Sequence, residues 1–341
     1  MNGILYALKW VIYNLGTQYT MPGLSFQKAK GAIPIALVKG GEEDGNVLYL
    51  HTEDAPKGQK RLKTINPNKY ATELRDVRGA DRAQLMRRLE EARHKGLSPD
   101  QLVGETAIGK ALYSRILDDD LKDTAVELSD QGQFQLIPSP DPKRREVFYI
   151  AGASGSGKSY IAKGIAECYK KFFSDREVYL ISKLGEDNTL DKMEPPPQRL
   201  NIETFIDDYP ELDEFQDCLV IFDDYDTFTG KHEKVVHKLI DDLATMGRHT
   251  NTTMLCLSHY LTNYKKTRLL LNEATHIVVY PMATSFHALG YLLKTHIGMT
   301  KEDVRDLKKM GRWVCVYKHY PQWLLSSQHA RLLNQWCHRQ S

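Results

Sequence analysis

The chain has 341 residues, 41% of them apolar and 26% charged, with a formal net charge of +2. That length suits two domains with a substantial buried core, and the composition is that of a globular protein rather than a disordered or fibrous one. A near-neutral balance excludes a global polycation, so any affinity for nucleic acid or a membrane surface must come from local patches.

Five cysteines (Cys168, Cys218, Cys256, Cys315, Cys337) are spread along the chain without a C-x-x-C pair. That argues against a disulfide framework or structural zinc site, and for a reducing compartment. The opening stretch, "MNGILYALKWVIYNLGTQY", is apolar but interrupted by Lys9, with no basic region before it and no small-residue cleavage site after it. A spanning helix needs about 20 uninterrupted apolar residues. The stretch therefore reads as a packed amphipathic element, and the chain as a cytosolic rather than a transmembrane protein.

Next, "IPIALVKG" and "NVLYLHTE" flank "GEEDG" as a hairpin. The basic stretch "APKGQKRLKTINPNKY" has no apolar period. "DRAQLMRRLEEARHKG" predicts a charged amphipathic helix, with Leu85 and Leu89 one turn apart and Gly96 as its stop. The breaker "PSPDPKRR", at 138–145, marks the expected boundary between a smaller N-terminal α+β domain, residues 1–140, and a second domain, residues 141–341.

Beyond it, short apolar runs alternate with helical periods: "VFYIAG", "EVYLIS", "DCLVIFDD", "TTMLCLSH", "THIVVYP" and "RWVCVYKH". Continuous β-branched and aromatic runs suit strands covered on both faces, and helices between them imply βαβ crossovers. The expected fold class is α/β: a three-layer domain with a mostly parallel sheet.

One motif carries most of the chemistry. Gly152-Ala-Ser-Gly-Ser-Gly157-Lys158-Ser159 matches G-x-x-x-x-G-K-[ST], between a predicted strand and a helix with Ile161, Ile165, Cys168 and Phe172 on one face. The glycines allow a tight turn whose backbone N–H groups converge on phosphate oxygens, and the helix N-terminus adds positive potential. Gly152, Ser154, Gly155, Ser156, Gly157, Lys158, Ser159 and Tyr160 are the candidate ATP-binding residues. Lys158 reaches the β- and γ-phosphates, and the Ser159 hydroxyl ligates Mg²⁺.

"CLVIFDDY" ends four apolar residues in Asp223-Asp224. At the carboxyl end of a strand beside the phosphate loop, Asp223 can hold the Mg²⁺ shell. Successive strand side chains diverge, so Asp224 points elsewhere: at the attacking water as its base, or into the following turn as a cap. A doubled acid favours hydrolysis used for work.

The helix "KHEKVVHKLIDDLATMG", with Val235, Leu239, Leu243 and Met246 at helical spacing, ends at Gly247. Arg248 and His249 follow, ahead of the strand ending in Ser258-His259. Nucleotides sit off the carboxyl ends of parallel strands. Arg248, at the amino end, is then about 25–30 Å from its own phosphates, at roughly 3.3 Å per residue. Either it serves a neighbouring subunit's γ-phosphate, or it pairs locally with Asp241 or Asp242. Ser258 or His259 would sense γ-phosphate or orient water.

Taken in order, the phosphate loop, "LVIFDD" and a Gly-Arg pair ahead of a strand with a polar end resemble the FtsK–HerA superfamily of ring-forming DNA-pumping ATPases. Within it, the genome-packaging ATPases of poxviruses and other large nucleocytoplasmic DNA viruses are most similar. "GSGSGKS", "FDD", "GRHTNT", "ISKLGEDNTLD" and "GRWVCVYKHYP" carry the likeness over residues 146–325. It implies a RecA/FtsK–HerA-like fold in which Lys158 and Ser159 hold ATP and Mg²⁺, Asp223 holds the metal and Asp224 activates water. Arg248 would act in trans within a pentameric or hexameric ring. The implied partner is double-stranded DNA, bound without regard to sequence. The implied location is the host cytoplasm, in a viral factory, or the virion. Superfamily members often carry glutamine at the sensor position, where this chain has His259 after Ser258. Residues 1–140 would dock to capsid or inner-membrane proteins or support oligomerisation.

Duplex DNA must be gripped through its phosphates. Candidates are Lys265, Lys266 and Arg268, past the sensor strand, and the basic stretch with Lys57, Lys60, Arg61 and Lys63. The alternative for both is a solvated charged loop. Trp313, Trp323 and Trp336 read as packing residues. Two other readings of the whole chain stand beside DNA packaging: a P-loop kinase of a small molecule, and an assembly ATPase acting on protein or membrane.

Overall fold

The strand-forming runs condense into two units in a computed structural model, which describes residues 22–52, 65, 67–75, 77–94, 97, 99–122, 125–128, 131–263 and 265–333. One unit comprises residues 1–32 and 50–124, the other 33–49 and 125–341. The boundary expected at residue 140 lies inside the larger unit, because short strands on its amino-terminal side pair into the larger unit's sheets. The apolar N-terminal stretch, the basic residues Lys57, Lys60, Arg61 and Lys63, Gly96 and Trp336 lie outside the described residues.

In the smaller unit, β1 (Gly23–Ser25) precedes helices α1 (Gly79–His94) and α2 (Ala107–Lys122). Leu85 and Leu89 are buried against Tyr70, Leu74, Leu112 and Tyr113, as the one-turn spacing predicts. The expected hairpin forms from β2 (Ile33–Lys39) and β3 (Val47–His51), closed by Val38–Asn46 and Gly45–Val38 backbone hydrogen bonds.

The larger unit is built on a ten-stranded sheet. Its strands are β4 (Ala125–Glu127), β6 (Val147–Ala151), β7 (Val178–Ser182), β8 (Gln198–Arg199), β9 (Leu219–Asp223), β10 (Thr253–Ser258), β11 (His276–Val279), β12 (Val314–Tyr317), β13 (Trp323–Ser326) and β14 (His329–Leu332). Across the sheet they run β4-β14-β13-β12-β11-β6-β10-β9-β7-β8. The pairs from β11 to β8 are parallel; those from β11 to β4 are antiparallel. A separate strand, β5 (Gln133–Leu136), pairs antiparallel with β2. Its Gln135 amide donates to Gly164 O, on helix α3 (Lys158–Phe172).

Helices α4 (Thr204–Asp207), α5 (Gly230–Met246), α6 (Arg268–Glu273), α7 (Phe286–Ile297) and α8 (Lys301–Leu307) complete the layers. Every residue of β6, β9 and β10 is buried, as continuous apolar runs predict for strands covered on both faces. Helix faces deviate by one residue from expectation. In α3, Ile161, Ile165 and Cys168 are buried, but Tyr169 is the last core residue and Phe172 is exposed. In α5, Val236 rather than Val235 is buried, and Met246 is exposed. Trp313 and Trp323 are buried, as packing residues should be.

The acid strand β9 delivers Asp224 to within 3.3 Å of Lys158, as a strand beside the phosphate loop should, although β10 stands between β9 and β6 and pairs with both. One expectation is corrected. The strand after Arg248 begins only at Thr253; residues 247–251 form a turn in which Asn251 takes a positive φ of 54°. The strand itself then spans about 17 Å, at roughly 3.3 Å per step.

One buried acid predicts a pH effect. Glu146, just before β6, accepts a 2.8 Å hydrogen bond from Ser139 N, and its Oε1 lies 3.7 Å from Arg144 Nε. Burial outweighs both and raises the carboxyl to about 7. A raised carboxyl pKa favours folding while the group is protonated in both states. That contribution is complete below pH 4.5 and is lost as pH climbs through about 7, to the extent of about 3 kcal/mol. Thermal melts from pH 5 to 8 should show a smaller loss of stability in Glu146→Gln than in the unsubstituted chain.

Candidate functional site

The phosphate loop follows β6, whose Ala151 is in register with Ser258 of β10 and Val279 of β11. Gly155 and Gly157 have φ of 72° and 111°, conformations that favour glycine. A Cβ on Gly152 would stand 2.5 Å from the Tyr280 ring and 2.7 Å from Ser156 Oγ, so this glycine is required by close approach. Arg312, from the segment before β12, donates from Nε to Ser156 O and from Nη2 to Gly155 O, each at 3.1 Å. The arginine holds two loop carbonyls on the protein side. The sequence reading had not assigned it a role.

Lys158 opens α3 with its ammonium buried. It donates to Gly152 O at 3.0 Å and lies 3.3 Å from Asp224 Oδ1. Ser154 is exposed, Ser159 is half-buried and Tyr160 is exposed, all at the start of this helix or in its loop. The arrangement can hold the phosphates of a nucleotide: a turn of glycines, a helix N-terminus and one buried cation.

The acids come from the end of β9. Asp223 is buried and accepts a 2.9 Å hydrogen bond from Ser182 Oγ at the end of β7. Burial first, then the neighbouring Asp224, raises its carboxyl to about 6, against the pull of Ser182 and Lys158. Asp224 has φ 42° and ψ 43°. This left-handed residue breaks the strand alternation and accompanies a carboxylate set toward Lys158. Its side chain makes no cap bond; the following 3-10 turn, Tyr225–Thr227, is held by its backbone carbonyl, which accepts from Thr227 N and Oγ1. The capping alternative for the Asp224 carboxylate is thereby set aside.

Between acids and phosphate loop stands the end of β10. His259 Nε2 lies 3.5 Å from Asp224 Oδ2, and its Nδ1 is 3.3 Å from Asp226 Oδ1. Asp226 Oδ2 also accepts from Ser258 Oγ at 3.1 Å, His259 N at 2.8 Å and Tyr260 N at 3.3 Å. A buried carboxylate therefore fixes the whole turn after β10. Sequence reasoning missed Asp226, although the third acid of "FDDYD" was the available signal. The Ser258 hydroxyl is taken up by Asp226 and Tyr260 N, whereas the His259 ring faces Asp224.

Arg248 lies elsewhere. It is exposed in the turn before β10, at the opposite edge of the sheet from the phosphate loop. Among the described residues no carboxylate lies within 4 Å of it. Asp242 accepts from the Tyr209 hydroxyl instead, and burial raises the Asp241 carboxyl. Of the basic loop, Lys265 is exposed, Lys266 pairs with Glu233 at 2.6 Å, and Arg268 begins α6. Tyr149 Oη donates to Tyr260 O at 2.6 Å, tying the start of that loop to β6.

No protein-family profile matches the chain. An uncharacterized protein V3 of the Sputnik virophage is 33% identical over 218 residues, covering 61% of this chain and 88% of that protein. Among solved structures, the genome packaging NTPase B204 of Sulfolobus turreted icosahedral virus 2, in complex with AMPPCP, is 12% identical. It covers 55% of this chain and 98% of its own, with a TM-score of 0.38. The pCW3 conjugation coupling protein TcpA is 13% identical, covering 88% of this chain and 77% of its own, with a TM-score of 0.37. Among the described residues no helix is long and apolar enough to cross a membrane.

Proposed function

The chain belongs to one family with protein V3 of the Sputnik virophage, and from that premise and the site's geometry we propose that it is an FtsK–HerA-like ATPase. Its work is to move double-stranded DNA into a viral capsid as a ring of copies. The observation that carries this reading is the cluster of Lys158, Asp224 and His259 around the phosphate loop, with Arg248 on the far edge of the same sheet.

Ser159 and Asp223 fit a Mg²⁺ ion: a half-buried hydroxyl at the helix start, and a buried carboxylate that a second carboxylate destabilises. When bound, the ion neutralises phosphate charge. Backbone N–H groups of Gly155, Ser156 and Gly157 and the Lys158 ammonium hold the phosphates. Lys158 exchanges Asp224 for phosphate oxygen, which frees Asp224 to accept the proton of the attacking water. His259, held through Nδ1 by Asp226, keeps Asp224 and the water in line, and is the sensor in this reading. Exposed Tyr160 offers a face to the base.

Arg248 completes the site of the next copy. DNA passes along the loop carrying Lys265, Lys266 and Arg268, with Lys266 exchanging Glu233 for phosphate. Docking to capsid or inner-membrane proteins falls to the smaller unit, in the host cytoplasm or the virion. Mass in solution with and without ATP, and ATP turnover with and without duplex DNA, test the reading. The expected result is ATP-promoted assembly and DNA-stimulated turnover whose stimulation fades as salt rises. A monomer with DNA-independent turnover favours the small-molecule kinase instead, and DNA-independent turnover in a ring favours the assembly ATPase.

A further inference from the structure

At the amino edge of the sheet, far from the phosphate loop, the larger unit holds a cavity of about 350 Å³. Lys143, Arg144, Arg145, Arg248 and His319 line it, with Glu273 as the acid among the lining residues. Four permanent cations thus line the recess with one carboxylate among the lining residues, and Arg144 has a second acid, Glu146, 3.7 Å from its Nε. Arg145 is anchored: its Nη2 donates to Ala244 O at 2.8 Å, near the end of α5. Its Nε is buried without a hydrogen-bond partner among the described residues. The same guanidinium lies under the turn that carries Arg248, since a Cβ on Gly247 would stand 3.6 Å from Arg145 Cζ. Burial, and then the charge of Arg248, work against the Arg145 charge. Clustered cations and an unused buried donor around one solvent-open recess describe a receptor for an anion, and planar guanidinium forks match phosphate oxygens.

We propose that this cavity receives the phosphates of a nucleotide bound to a second copy of the chain, with Arg145 a fixed second guanidinium beside the exposed Arg248. The inference rests on the ring reading above and extends it from one residue to a built site. The sheet itself supplies the argument for the occupant. Parallel strands put the phosphate loop at their carboxyl edge and this cavity at their amino edge, so a head-to-tail contact between copies brings one to the other. The anchored Arg145 needs no rearrangement as phosphate charge develops, while Arg248 is free to reach. DNA phosphate shares the ligand's chemistry and is an outcome of the test.

The experiment compares full-length Arg145→Lys, Arg145→Gln and Arg248→Ala chains, each alone and mixed one to one with Lys158→Ala. Lysine keeps the charge and one donor for Ala244 O, so Arg145→Lys guards against a folding defect. Alone, Arg145→Lys should turn over saturating ATP at least about tenfold more slowly with unchanged nucleotide affinity. Mixed with Lys158→Ala it should regain about a quarter of wild-type turnover, the share of contacts in which both halves are intact. Full turnover by both Arg145 variants overturns the proposal. So does rescue of Arg248→Ala without rescue of Arg145→Lys, which leaves Arg145 as scaffold and the trans role of Arg248 intact. Failure of both rescues removes the trans reading and this site with it. A loss confined to the affinity for duplex DNA assigns the cavity to DNA and likewise overturns the proposal.

Discussion

Asp224→Asn is expected to slow ATP turnover by about 10²–10⁴-fold, the usual worth of a positioned general base, while nucleotide affinity holds or improves. The reason affinity should not fall lies in the resting pair. Asp224 Oδ1 is 3.3 Å from the Lys158 ammonium, and phosphate must displace it. Asparagine weakens that competitor without touching the loop glycines or Ser159. Asp223→Asn should behave differently. Its carboxylate is buried on Ser182 and makes no ion pair with Lys158 within 4 Å among the described residues, so its loss should weaken Mg²⁺-dependent binding together with turnover. Fluorescent-nucleotide titrations with and without Mg²⁺, alongside single-turnover rates, separate the two. Full turnover in Asp224→Asn with intact affinity would eliminate Asp224 as the water's base. His259 should stand between the two outcomes: His259→Ala removes the 3.5 Å contact to Asp224 Oδ2 but leaves the acid in place.

The phosphate loop was legible because its requirement is local. Eight consecutive residues fix the turn, the glycine conformations and the lysine, and a strand before and helix after confirm them. Helix faces were legible to within one residue, since periodicity fixes the stripe but not where packing stops. Phe172 is exposed while its neighbour Phe173 is buried against the Tyr169 ring, and Met246 is exposed at the end of α5. Strand order was not legible. No property of "CLVIFDD" or "TTMLCLSH" says that the second run slots between the first and the phosphate-loop strand, because that choice is made by crossovers over tens of residues. The same non-locality hid Asp226 and Arg312. Asp226 is 32 residues from Ser258, and Arg312 is 156 residues from the Ser156 carbonyl it holds. Arg145 was hidden differently: inside "PSPDPKRR" its composition signalled a breaker, and only the fold turns that run into a cavity wall.

Arg248→Ala is expected to lower turnover by about 10³–10⁵-fold, the range of arginines supplied in trans, with ATP affinity unchanged. The argument is one of distance. Ser258, at the phosphate-loop end of β10, is five residue steps from Thr253, about 17 Å away, and Arg248 lies a further turn beyond. Its guanidinium cannot reach its own copy's phosphates, and among the described residues it has no carboxylate partner to make it structural. Its removal should therefore leave thermal stability within about 0.5 kcal/mol of wild type, as for an exposed, unpaired side chain. A large kinetic loss with no stability loss is the signature of a residue that acts on another molecule. Mixing decides where it acts. Lys158→Ala copies lack the phosphate-loop cation but keep Arg248, so together with Arg248→Ala copies they rebuild complete sites at their shared contacts. Two inactive proteins should then become active on mixing, and the gain should track the mole fraction of each. If no ratio recovers turnover, the two half-sites belong to one copy after all, and the turn before β10 must swing across the sheet edge to join them.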